Sequence, residues 1–109
     1  MDLGCFSVSL AVKDIKASLA FYERLGFTRL DGNLDQGWLM LQNGSTRLGL
    51  FQGMFQEDLL TFNPPDARAV QARLLSEGIS IEEPVTSTEG PCHFSVRDPD
   101  GRCVLIDQF

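Results

Sequence analysis

Asp14-Ile15-Lys16-Ala17-Ser18-Leu19-Ala20-Phe21-Tyr22-Glu23-Arg24-Leu25-Gly26 is the stretch on which the reading of this 109-residue chain turns. An Asp at the front can accept hydrogen bonds from the orphan N–H groups of a helix. A Gly at the end tolerates the left-handed backbone that closes one. Between them Ile15, Leu19, Tyr22 and Leu25 recur at helical spacing and form one apolar stripe. The spacing predicts a helix from Asp14 through Leu25, ended by Gly26. A second stretch repeats the layout: Asp66 opens it, Ala67, Val70 and Leu74 supply the stripe, and Gly78 ends it. The offsets 66 − 14 and 78 − 26 are both 52. Pro64 and Pro65 suit the turn just before this second helix.

Each helix has one candidate strand before it and three after it. Phe6-Ser7-Val8-Ser9-Leu10-Ala11-Val12 and Leu59-Leu60-Thr61-Phe62-Asn63 precede the helices. Residues 27–30, 38–42 and 46–51 follow the first, and 79–82 (or slightly later, past Pro84), 92–97 and 103–107 follow the second. Asn43-Gly44 is a hairpin signal, expected to pair Gln42 with Ser45. Asp98-Pro99-Asp100-Gly101 suits a type I turn with a left-handed glycine, pairing Asp98 with Arg102. The chain is thus expected to be one α+β domain, residues 1–109, of two tandem β-α-β-β-β modules at about 5–52 and 57–108, with a junction at 53–58. The modules are expected to form a curved mixed sheet with a concave cleft.

Strand alternation sorts the side chains into two faces. Phe6, Val8, Leu10 and Val12 form one apolar face; Leu39, Leu41, Leu48 and Leu50 form another; Phe94, Val96, Val104 and Ile106 form a third. These faces are expected to pack on the helices. The opposite, mixed face carries Ser7, Ser9, Trp38, Met40, Arg47, Gly49, Phe51, Leu59, Thr61, His93, Ser95, Arg97, Cys103, Leu105 and Asp107. Large apolar groups such as Trp38, Met40, Phe51 and Leu105, gathered on an otherwise open face, mark a binding surface, so this face is expected to line the cleft. His93, Arg47 and Arg97 would give it basic character, suited to an anionic or polar-aromatic ligand stacked on Trp38 and Phe51. Pairing of these arginines with Asp107 or other local acids is the competing expectation.

Composition narrows the partners. A formal net charge of −6 disfavours nucleic acid, whose phosphates an acidic chain repels. No apolar run reaches membrane-spanning length, and Met1-Asp2-Leu3-Gly4-Cys5-Phe6 lacks the basic start of a signal peptide, so a cytoplasmic location is expected. Cys5, Cys92 and Cys103 form no CxxC pair, and reduced thiols are expected. The only histidine, His93, is adjacent to Cys92 in sequence, and strand neighbours point to opposite faces, so a Cys–His nucleophile is not expected.

Leu10-Ala11-Val12-Lys13-Asp14-Ile15, then Ser18-Leu19-Ala20-Phe21-Tyr22-Glu23-Arg24-Leu25-Gly26-Phe27, and late in the chain Asp98-Pro99-Asp100-Gly101, resemble the vicinal-oxygen-chelate superfamily of glyoxalase I, extradiol dioxygenases, and fosfomycin- and bleomycin-resistance proteins. The resemblance covers nearly the whole chain and implies that fold. It also implies a divalent metal held by His and Glu from four strands. Those positions fall at Ser7, Gly49, Leu59 and Leu105, none of which is a metal ligand. Neither metal nor other cofactor is therefore expected, and no catalytic residue is assigned. The expected function is metal-independent binding of a small organic ligand by a homodimer. A divergent lyase or isomerase using His93, a drug-sequestering protein, and a subunit whose cleft is filled by protein are the alternatives.

Overall fold

The computed structural model describes residues 1–109, with seven strands and two helices in an α+β arrangement. In chain order these are β1 (Cys5–Val12), α1 (Ile15–Arg24), β2 (Thr28–Asn33), β3 (Trp38–Asn43), β4 (Thr46–Gln52), β5 (Leu59–Asn63), α2 (Ala67–Ser76), β6 (Cys92–Arg97) and β7 (Cys103–Gln108). One 3-10 turn, Leu34–Gln36, precedes β3. The chain forms two compact units, Ser7–Leu59 and Met1–Phe6 with Leu60–Phe109.

In the Ser7–Leu59 unit the strand order is β2-β3-β4-β1, with β4 parallel to β1 and antiparallel to β3. In the other unit the order is β5-β7-β6, with β7 parallel to β5 and antiparallel to β6. A parallel pair needs a crossover connection, and each helix lies within one. Ile15 and Leu19 of α1 pack with Leu39, Leu41 and Leu50, flanked by Leu10, Val12 and Tyr22. Ala67 and Val70 of α2 pack with Cys92, Phe94 and Ile106. The leucine face of the β3–β4 hairpin and the Phe94–Ile106 face of the β6–β7 hairpin are thus the helix-covered sides.

Both helices start as expected, and each has an additional cap. Asp14 Oδ1 accepts from the N–H groups of Lys16 (3.1 Å) and Ala17 (3.2 Å), and Gly26 follows the helix at φ 93°. Gln52, last residue of β4, accepts from the Ile15 N–H through Oε1 at 2.9 Å. Asp66 Oδ1 accepts from Ala69 N–H at 3.0 Å, and Gln108, last residue of β7, accepts from Ala67 N–H at 2.8 Å. Each helix therefore has two side chains on its first-turn donors, one local and one from the far end of the crossover.

Three expectations change. The hairpin pairs Asn43 with Thr46, not Gln42 with Ser45, because Gly44 takes the left-handed first place of the turn at φ 60°. The resulting slip moves the pairing by a whole two-residue repeat, so the faces are unchanged. No strand forms at 79–82. The segment keeps one bridge, Glu83 with Ser95, and Pro84, lacking an N–H, interrupts any ladder beyond it. On β1, Ser7 and Ser9 are buried while Phe6 is 46% exposed. Leu10 and Val12 reach the α1 cluster; Phe6, at the start of the strand, instead meets Phe62 at 5.1 Å between ring centroids.

Replacing either strand-end glutamine isolates the remote cap. Gln52→Ala and Gln108→Ala should each lower unfolding free energy by about 1 kcal/mol, the usual worth of one such bond. Urea denaturation measures it; two unchanged midpoints would show that the Asp caps suffice.

Candidate functional site

In the Ser7–Leu59 unit, strand alternation places Trp38, Met40, Arg47, Gly49, Phe51 and Ser9 on the side away from α1. Register aligns Ser9, Gly49 and Met40 in a row across β1, β4 and β3, and sets Phe51 opposite Trp38. Gly49 is buried, and a Cβ there would lie 2.4 Å from Phe51 Cε2 and 3.1 Å from Met40 Sδ. The missing side chain is thus the space that the Phe51 ring fills. Phe51 also packs on Phe55, with centroids 5.3 Å apart and the rings tilted by 45°. Trp38 is half-buried and donates from Nε1 to Gln36 Oε1 at 3.2 Å. Arg47 is exposed and pairs with no acid. Ser7, Ser9 and Leu59 are buried.

In the second unit, Thr61, Leu105 and Ser95 form the corresponding row across β5, β7 and β6. Thr61, Ser95 and Cys103 are buried, and Leu105 is half-buried. His93 is exposed and sits opposite Asp107; with Glu83, Thr86 and Ser87 among its neighbours, it lines a polar hollow of about 400 Å³. Arg97 does not join His93 in a basic cluster. Its guanidinium binds Glu82 at 2.6 Å (Nε–Oε2) and 3.3 Å (Nη2–Oε1), and the Gly101 carbonyl at 3.1 Å. His93 and Arg97 are also four residues apart, about 13 Å along β6. Burial pushes the Asp107 carboxyl above its ordinary range, against a smaller downward pull from His93. Asp98 is shifted the other way, first by the Arg102 N–H at 2.8 Å on its Oδ1, with the Arg102 guanidinium and the Asp100 N–H adding to the effect.

The profile of the Glyoxalase/Bleomycin resistance protein/Dioxygenase superfamily matches residues 5–104. The chain belongs to that superfamily. Solved structures agree on the fold. A superfamily member from Vibrio splendidus 12B01 is 21% identical, with TM-score 0.73 and coverage of 94% of this chain and 96% of that one. A protein described as NAD-dependent benzaldehyde dehydrogenase from Legionella pneumophila is 19% identical, with TM-score 0.76 and coverage of 95% and 98%. Methylmalonyl-CoA epimerase from Mycobacterium tuberculosis is 17% identical, with TM-score 0.67 and coverage of 98% and 87%. No curated protein matches the chain by sequence.

The positions that the resemblance gives for a metal, Ser7, Gly49, Leu59 and Leu105, can be tested against the residues in place. They fall into two repeat-related pairs: 59 − 7 is 52, the helix-cap offset, and 105 − 49 is 56, the same as 108 − 52 for the two glutamines. The residues there offer a hydroxyl, a hydrogen and two isobutyl groups, and transition metals in proteins need imidazole, carboxylate or thiolate. No three His, Cys, Asp or Glu side chains gather anywhere to hold an ion. The side chains do not fit the metal.

Sequence reading missed several contributors. Gln52 and Gln108 occupy equivalent positions in the two units, and aligning the last strands would have revealed them. Arg68 of α2 fastens the segment after the second helix, donating to Ser87 O (3.0 Å), Gly90 O (3.1 Å) and Ser87 Oγ (2.9 Å). It belongs to no motif. Phe55 lies in the stretch read as a junction, where no periodicity marks it.

Asp107 yields a pH test. With its folded pKa raised, its stabilising effect is complete below the unfolded value, 3.8, and is lost as pH rises through the folded value. Asp107→Asn, which carries no charge, should therefore gain on the wild type between pH 3 and pH 7. Equal differences at both pH values in urea titrations would contradict the shift.

Proposed function

We propose that this chain is a single domain of two modules that binds a small organic ligand without a metal. The candidate ligand-facing residues are those of each unit's mixed face: Ser7, Ser9, Trp38, Met40, Arg47, Gly49, Phe51 and Leu59 in the Ser7–Leu59 unit, and Thr61, His93, Ser95, Arg97, Cys103, Leu105 and Asp107 in the other. The supporting observation is the seat at Gly49, where a phenyl ring and a thioether occupy the space that a ligating side chain would need. Ser7, Leu59 and Leu105 add no donor. The superfamily's usual chemistry depends on a metal that stabilises an oxyanion or activates dioxygen, and this donor set supports neither. Half-buried Trp38, Met40 and Phe51 support binding instead, since such side chains bury ligand surface well. Exposed Phe21 (57%) and Leu25 (56%), one turn apart, support self-association as a homodimer.

A second reading, a divergent isomerase or lyase, draws support from the facing pair His93 and Asp107, because a carboxyl shifted toward neutral pH is a common acid–base device.

One experiment tests the binding reading. The purified protein is screened against a compound library by thermal shift, with and without a chelator, after its metal content has been measured. A binder at a hundred times its Kd adds about 2.7 kcal/mol, which for a domain of this size raises Tm by about 10 °C. The binding reading expects such hits to persist in chelator. Stoichiometric metal that resists dialysis would overturn it, as would the absence of any hit.

A further inference from the structure

Resting on the binding reading above, we infer that the ligand is a planar aromatic carboxylate, its ring laid against Phe51 and its anionic group met by Arg47. Arg47, Gly49 and Phe51 alternate down β4 on one face, with the Cα atoms of Arg47 and Phe51 about 13 Å apart and the Phe51 ring folded over the glycine between them. The glycine matters. A side chain at position 49 would meet Phe51 Cε2 at 2.4 Å, so only Gly lets the ring lie down along the strand. The result is a low apolar shelf, extended by Met40 Sδ and by Phe55, with Trp38 directly across from Phe51. Phenyl, indole and thioether groups are the surfaces that flat π-systems prefer.

Charge decides the rest. The chain carries −6, and Arg68, Arg73, Arg97 and Arg102 are all engaged by local acceptors. Arg24 on α1, Arg29 opposite Leu41 and Arg47 have no such acceptor, and of these Arg47 lies on the same face as the shelf. A guanidinium is a planar fork of donors that fits a carboxylate through two parallel bonds, and it repels a cationic ligand. A flat ring carrying a carboxylate satisfies both features at once; an aliphatic acid or a neutral aromatic satisfies only one.

The test uses the full chain and three probes: 2-naphthoate, its uncharged analogue 2-naphthylmethanol, and the saturated decahydro-2-naphthoate. Calorimetry gives affinity, and the indole N–H resonance of Trp38, the only tryptophan, reports location. Naphthoate should bind at least about ten-fold more tightly than either analogue and should move the Trp38 signal. Arg47→Gln, at an exposed position, should abolish the advantage over the alcohol. Phe51→Leu should weaken naphthoate and alcohol alike. The inference fails if naphthylmethanol matches naphthoate, if Arg47→Gln leaves naphthoate affinity unchanged, or if the indole signal stays still at saturation. If naphthoate does not bind but neutral or cationic library compounds do, the ligand class is wrong and the binding reading stands. If no compound binds, both are wrong.

Discussion

Two strands running the same way impose a condition that organises each unit of this protein. The pairs β1–β4 and β5–β7 are parallel, so the chain must return to its starting edge between them. The helix within each return covers one face and leaves the other to mixed side chains. The same pairing ends β4 at Gln52 and β7 at Gln108, where their amide oxygens meet the first N–H of α1 and α2. A local Asp and a distant Gln thus hold each helix start, and the Gln can act only when the parallel register is in place. Helix capping and strand pairing therefore reinforce one another.

The face away from α1 shows what stands where the resemblance would put a metal ligand. The rows Ser9–Gly49–Met40 and Thr61–Leu105–Ser95 are equivalent in the two units, and each contains one position that the resemblance gives for a metal ligand. At Leu105 the side chain is a bulky apolar group. At Gly49 it is a void that Phe51 fills. A position with a hydrogen could regain a donor by simple substitution; one overlaid by a ring requires a second change. Packing as well as donor chemistry sets this face apart from a metal site.

The second unit is less regular than the first for a related reason. Between α2 and β6 the chain carries Pro84 and Pro91 and pairs only at Glu83. Side chains take over from the absent ladder: Arg68 holds Ser87 and Gly90, Gln71 Oε1 accepts from Val85 N–H at 2.8 Å, and Glu82 engages Arg97. Glu82 thereby consumes one of the cations that alternation had placed on the mixed face. Arg47, on β4, has no such partner.

The sequence by itself determined what depends on near neighbours. The Asp14-to-Gly26 and Asp66-to-Gly78 helices, the leucine face of the β3–β4 hairpin and the left-handed Gly101 turn were legible because caps, alternation and turn residues act over a few positions. Faces survived even a slipped hairpin register, since side-chain direction repeats every two residues. Only the tertiary structure decided matters that depend on distant partners. The Gln52 and Gln108 caps, the capture of Arg97 by Glu82 and the burial of Ser7 and Ser9 all join residues far apart in the chain or depend on surrounding packing. The ring over Gly49 depends on a rotamer, and a glycine in a sequence does not say which side chain will fill the space it leaves.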